Sequence, residues 1–177
     1  MRVIRAVDSY YRERNDICVF LAGGITNCPN WQDDVIQKLS KKQNTDMLVI
    51  FNPRRENFPI HDPDASVEQI EWEYKWLERM DIFSMYFSSG ESDQPICMYE
   101  LGRNILRMQT RFPFDWQDRL VISVANGYKR MRDVVIQTSL ATKDKCDINY
   151  QLSDDILSEY HAENIYKAYN SILRGWM

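Results

Sequence analysis

The chain has 177 residues, 44% hydrophobic and 27% charged, with a net charge of −4 at pH 7 and a pI near 5.3. That length is enough to bury a proper core as one domain and a strain for two. The acidic balance leaves no electrostatic footprint for duplex nucleic acid, since the largest basic cluster is only Lys129-Arg130 with Arg132. Cys18, Cys28, Cys97 and Cys146 form no CxxC pair, and with only His61 and His161 available no zinc-ligand spacing can be assembled. Reduced thiols in a cytoplasm, with no metal or other cofactor, are therefore expected.

Residues 1–15 alternate charge with apolar positions and lack the continuous hydrophobic run of a signal peptide or membrane anchor, so a partly ordered arm is expected there. Ile17-Cys18-Val19-Phe20-Leu21-Ala22 is a short apolar run ending at Gly23-Gly24, the pattern of a parallel strand buried on both faces. A helix over 29–41 follows, with Trp31, Val35 and Leu39 on one face. Residues 47–51 read as a second strand, and 52–65, rich in Pro, Asp and Asn, as a long loop of the kind that binds ligands. A helix over 67–80, expected to turn Ile70, Tyr74 and Leu77 toward the sheet, runs into a third strand at 81–87.

The next helix, 95–107, opens with Pro95 at its first position and Asp93 or Gln94 as its cap. Glu100 lies in its early turns, where the helix dipole is expected to hold a carboxylate ionised and nucleophilic. A fourth strand at 119–124, a helix over 127–142, a weak fifth strand at 146–150 and a C-terminal helix over 153–175 complete the pattern. In that last helix Ile156, Tyr160, Ile165, Tyr169 and Ile172 are the expected packing residues. Such alternation implies a three-layer α/β domain spanning 1–177 with a doubly wound parallel sheet of order 2-1-3-4-5. In that order the loop after the first strand, including Gly23, Gly24, Ile25 and Asn27, and the segment from Ser88 through Gln94 to Glu100 open onto one crevice.

Leu21-Ala22-Gly23-Gly24-Ile25, Trp31-Gln32, Asn52-Pro53-Arg54-Arg55, Gln69-Ile70-Glu71-Trp72-Glu73, Asp81 and Glu100-Leu101-Gly102-Arg103 occur in that order. The ordered set resembles the nucleoside 2-deoxyribosyltransferase family, specifically its smaller nucleoside 2-deoxyribosyltransferase-like branch, over roughly residues 17–140. The resemblance implies a flavodoxin-like, Rossmann-like fold. It also implies cleavage of the N-glycosidic bond of a nucleoside or nucleotide through a glycosyl–enzyme ester, with the sugar passed to another base or to water. A homo-oligomer, with a neighbour's residues at the site, is implied as well.

Matched by motif, Glu100 corresponds to the family's nucleophile and Glu73 to its sugar- or base-contacting acid. Better-known members carry an Asp six residues before the nucleophile to handle the base's proton; here that position is Gln94, with Asp93 beside it, so proton delivery falls to Asp93 or Glu73. Similarly, Asp133 stands where the branch more usually has Asn. The glycines allow close backbone approach to a ligand. Asn27 and Asp81 are candidates for sugar contacts, Asn52 for a further substrate contact, and Trp72, Tyr99 and Phe58 for stacking on a base. The aromatic set Trp72, Trp76 and Tyr99 reads as core or subunit interface before it reads as a base platform. Arg54 and Arg55 either hold a 5′-phosphate or form surface ion pairs with Glu56 or Asp62.

Other functions find less support. A phosphorelay receiver needs acids where Gly23-Gly24 stand, and neither G-x-G-x-x-G nor a G-x-x-x-x-G-K-[ST] loop occurs. The alternatives that remain are an N-glycosidase releasing the sugar to water and a non-catalytic nucleotide-binding or sensing module.

Overall fold

The computed structural model describes residues 1–59 and 61–176. Six strands form one all-parallel sheet: β1 (Arg2–Arg5), β2 (Ile17–Gly23), β3 (Leu48–Asn52), β4 (Ile82–Phe87), β5 (Leu120–Ala125) and β6 (Ile148–Leu152), in the order β1-β3-β2-β4-β5-β6. The five expected strands thus stand in the expected 2-1-3-4-5 order. The addition is β1, which pairs with the outer side of β3 with Arg2 opposite Val49 and Arg5 opposite Asn52. An edge strand is covered on one side only and needs no continuous apolar run, so Arg2-Val3-Ile4-Arg5 gave no strand signal. The rest of the segment expected as an arm is also anchored. Tyr10 packs edge-on against Phe51, and Arg12 pairs with Asp81.

Alternate residues of each buried strand feed two cores. On one side Phe20, Phe51, Phe83 and Met85 meet α2 (Ala65–Leu77), α3 (Pro95–Arg111) and α4 (Met131–Thr142). On the other, Ile17, Val19, Ile50 and Tyr86 meet α1 (Trp31–Ser40) and α5 (Asp154–Trp176). The face that α2 buries differs from expectation: Trp72, Trp76 and Leu77 turn inward, while Ile70 and Tyr74 are exposed. The indoles win because they bury the larger apolar area, Trp76 stacking on Phe51 at 4.0 Å between ring centroids. In α5, Ile165, Tyr169 and Ile172 are buried as expected, but Ile156 and Tyr160 face outward and Leu157 and His161 take the inner positions.

His161 fixes α5 to the sheet. Its ring is fully buried and joined at 2.7 Å to both the Ser84 hydroxyl on β4 and the Ser123 hydroxyl on β5. Burial pushes its pKa down to about 3, so it is a neutral bridge rather than a charge. No helix among the described residues is long and apolar enough to cross a membrane. What the topology does for function is local: the chain leaves β2 for β3 on one side and returns to β4 on the other, creating a switch point beyond the carboxyl ends of β2 and β4.

Candidate active site

At that switch point lies a cavity of about 310 Å³, walled by the β2 end and following loop (Gly23, Gly24, Ile25, Thr26), by Pro53 after β3, by Ile70 and Glu73 of α2, and by Ser92, Gln94 and the start of α3 through Glu100. It is predominantly apolar, with two acids in its wall. A larger cavity, about 460 Å³, lies away from it among Gln117, Lys145, Asn164 and Arg174 and shares none of these residues.

The opening of β2 into the cavity depends on two bare backbones. A Cβ on Gly23, whose φ is +151°, would collide with the Tyr86 carbonyl and lie 2.6 Å from the Trp31 ring; one on Gly24 would lie 2.5 Å from Cys28 Sγ and 2.6 Å from Gln94 Oε1. Any side chain at either position must displace a neighbour. The Gly24 carbonyl is held in turn by Trp31 Nε1 at 3.0 Å and, more loosely, by Gln32 Nε2 at 3.5 Å.

Arg54 fixes the next turn of this loop. Its guanidinium donates to Gln32 Oε1 at 3.0 Å and to the carbonyls of Ile25, Cys28 and Pro29 at 3.2, 3.4 and 2.9 Å. Asn52 shapes the approach by accepting from the Arg54 backbone N–H at 2.9 Å. Arg54 is therefore a staple for residues 25–29, with its Nε and Nη2 donors engaged by protein acceptors. Arg55 lies over the Phe58 ring and 3.7 Å from Glu68, a different acid from those expected.

The two acids come from different helices. Glu73 Oε1 accepts from Gln69 Nε2 at 2.8 Å, and the same amide donates to the Pro53 carbonyl at 3.0 Å, tying α2 to the loop after β3. Burial raises the Glu73 pKa above the usual carboxylate range. Glu100 is the sixth residue of α3, past the first turn where the helix dipole acts, and that first turn holds no acid. Its pKa is pushed up to about 7, first by burial and then by the charge of Glu73, with Arg103 pulling the other way. The expected dipole-held anion is replaced by a carboxyl that titrates near neutral pH beside a second buried acid.

Gln94 occupies the cap position of α3 in the left-handed region, φ 46° and ψ 51°, and neither it nor Asp93 caps the helix by a side-chain hydrogen bond. Its Nε2 donates to the Ser88 carbonyl at 3.0 Å. Asp93 is exposed, outside the cavity wall, with its carboxylate 3.7 Å from Lys129 Nζ and its carbonyl accepting from Tyr128 Oη at 2.9 Å.

Of the candidate residues, Gly23, Gly24, Ile25, Glu73, Gln94 and Glu100 converge on the cavity. Asn27, Asn52, Arg54, Arg55, Trp72, Asp81, Asp93 and Tyr99 are not among its lining. Asn27 is exposed with φ 57°. Trp72 is in the core, its Nε1 donating to the Asp8 carbonyl. Asp81 sits at the opposite end of the sheet, accepting from Cys18 N–H and Arg12. Tyr99 projects from the outer face of α3. Phe20, Pro53, Ile70, Ile96 and Cys97 line the cavity without having been singled out for it, since apolar residues beside Gly24, Glu73 and Gln94 carry no chemical signature of their own.

A search of curated proteins returns no match. A family model described as nucleoside 2-deoxyribosyltransferase-like matches residues 16–112, which is more than half the chain and includes all the residues that converge on the cavity. The chain belongs to the nucleoside 2-deoxyribosyltransferase-like family.

Proposed function

We propose that the protein cleaves the N-glycosidic bond of a 2-deoxynucleoside through an ester between Glu100 and C1′, and transfers the deoxyribosyl group to a second base. The observation that carries this reading is the meeting of Glu73 and Glu100, from two helices, in one predominantly apolar cavity at the switch point. Between its two titrations the pair holds one proton and one charge; burial and the Glu73 charge favour the proton on Glu100, and the reactive form is the one in which that proton has moved to Glu73. Glu100, as the carboxylate, attacks C1′ while the bond to the base breaks with its electrons on the base nitrogen. Glu73, as the acid, gives that nitrogen its proton. Attack by the incoming base on C1′ releases Glu100, and Glu73 takes the proton back. Glu73 fills the role of donor better than Asp93, which lies outside the cavity wall.

An unphosphorylated nucleoside fits this wall better than a nucleotide. The described lining contains two carboxyls and no Arg, Lys or His, so a 5′-phosphate would meet like charge, and Arg54 is committed to loop carbonyls. The rest of the chain is proposed to form one domain with this site, active in a reducing cytoplasm with its four unpaired cysteines. A second copy of the chain is the proposed cover for the outer faces of α2 and α3. There Val67, Ile70, Tyr74, Ile96, Tyr99 and Leu106 are all more than half exposed, and Ile70 and Ile96 reach the mouth of the cavity.

Chromatography of incubations with the four common 2-deoxynucleosides tests the reaction. Release of free base by the wild type but not by Glu100→Ala, accelerated by an acceptor base, is the expected result. Release that ignores the acceptor and yields free deoxyribose indicates a hydrolase, and no release from any nucleoside indicates a binding module.

A further inference from the structure

Asp154, the first residue of α5, lies outside the segment that the family model matches, yet its side chain reaches the end of β4. Its Oδ1 accepts from Tyr86 Oη at 2.9 Å, and its Oδ2 accepts from the Ser89 N–H at 3.3 Å and from the Ser89 hydroxyl. An acid in the first turn of a helix complements the dipole wherever it points, as exposed Asp155 does. Three converging donors ask for more than that, because a carboxylate is acceptor-only on both oxygens, whereas an asparagine amide would turn hydrogens toward one of the donors. Burial and then the Asp154 charge push the Tyr86 pKa up, so its hydroxyl stays a donor.

Each partner leads to a different wall of the cavity. Tyr86 stacks on Trp31 with 4.6 Å between ring centroids and 7° between planes, and Trp31 Nε1 holds the Gly24 carbonyl. The Tyr86 carbonyl is also the group that bars a Cβ at Gly23. Ser89 follows Ser88, whose carbonyl holds Gln94 at the entry to α3, the helix that carries Glu100. One carboxylate thus ties the end of β2 to the turn between β4 and α3, on both sides of the switch point. We propose that Asp154 is a positioning residue, which through Tyr86 and Ser89 keeps these two walls in register so that Glu100 stands at attacking distance from C1′. The proposal rests on the glycosidic reading and adds the C-terminal helix to its machinery. Misplacement by about 1 Å is enough to slow such an attack about 10²-fold.

Asp154→Asn keeps the size of the side chain but cannot accept from all three donors, and Tyr86→Phe, which keeps the ring stack, is the second variant should the first not fold. Ser123→Ala is the comparison, since it loosens α5 through His161 without touching either wall. All are assayed well below their melting temperatures. In Asp154→Asn, kcat for a 2-deoxynucleoside should fall at least about tenfold with KM changed less than about threefold, and hydrogen exchange should quicken at least about threefold in peptides covering 22–27 and 88–94. Ser123→Ala should change neither kcat nor exchange in those peptides. Equal effects in the two variants, a smaller fall in kcat, or a fall without faster exchange in both peptides overturns the positioning role and leaves Asp154 an anchor of α5. Faster exchange in both peptides with no base release by the wild type overturns the glycosidic reaction alone.

Discussion

At Glu100 two influences oppose each other, and their reach decides the outcome. The dipole of α3 favours the anion but fades within the first turn, and Glu100 lies beyond it. Burial and the nearby Glu73 favour the neutral acid, moving the pKa up to about 7. Acidity of this kind invites two expectations. Glu73→Gln removes the proton donor and should lower kcat/KM about 10²- to 10⁴-fold. The wild type should lose activity above about pH 7, as the pair gives up its last proton, and because this variant removes both that proton's carrier and the second largest cause of the raised Glu100 pKa, the fall should be absent from its pH profile. An unchanged profile contradicts the coupling.

Stability should move with the same groups. Both carboxyls bind protons more tightly folded than unfolded; the contribution of Glu100 is present below about pH 4.5 and is lost as pH rises through about 7, and that of Glu73 is likewise lost as pH rises through its raised folded value. Glu100→Gln should therefore melt higher than wild type at pH 8, by on the order of 1–2 kcal/mol after allowance for solvent screening, and similarly at pH 4. Equal melting at pH 8 counts against a destabilised Glu100 anion. Glu100 itself was legible in the sequence as an acid where β4 hands over to α3. Its pKa was not, because its partner arrives from α2 and burial is a property of the assembled layers.

The work of the short motifs becomes clear at the level of loops and helices. Trp31-Gln32 holds the Gly24 carbonyl, Asn52 shapes the turn after β3, Arg54 staples residues 25–29, and Gln69 aligns Glu73 with the Pro53 carbonyl. The order of these residues along the chain pointed to the right cavity, yet spacing alone could not tell a residue that touches ligand from one that holds a loop carbonyl. Arg54 shows the difference: one of two adjacent arginines in a Pro-rich loop reads as a phosphate ligand or a surface ion pair until its four acceptors are visible. Arg54→Ala should raise KM for a 2-deoxynucleoside about tenfold with a smaller change in kcat, and Arg54→Lys should fail to restore it because one ammonium cannot span the acceptors of a planar fork. A loss confined to 5′-phosphorylated substrates would instead make Arg54 a phosphate ligand.

For the whole molecule, the strand order followed from continuous apolar runs separated by helical periods, because strands buried on both faces have little other way to be written. What lay outside that logic was β1, a half-covered edge, and the rotation of α2, which was decided by two tryptophans over a nominally regular apolar stripe. That rotation has a consequence: Ile70 and Tyr74 join the exposed residues of α3 in an apolar face beside the cavity. Sedimentation should find a dimer or larger assembly, and Tyr74→Glu with Leu106→Glu should dissociate it while thermal unfolding remains one cooperative transition. A monomeric wild type contradicts the proposed cover.

The covalent step is open to direct measurement by intact-mass analysis after incubation with a panel of 2-fluoro-2-deoxyarabinosyl nucleosides, whose fluorine slows release of the ester. A mass gain equal to the fluorinated sugar, mapped to the peptide containing Glu100 and missing from Glu100→Gln, is the expected result. Base release with no adduct, or an adduct on any other residue, would contradict Glu100 as the nucleophile.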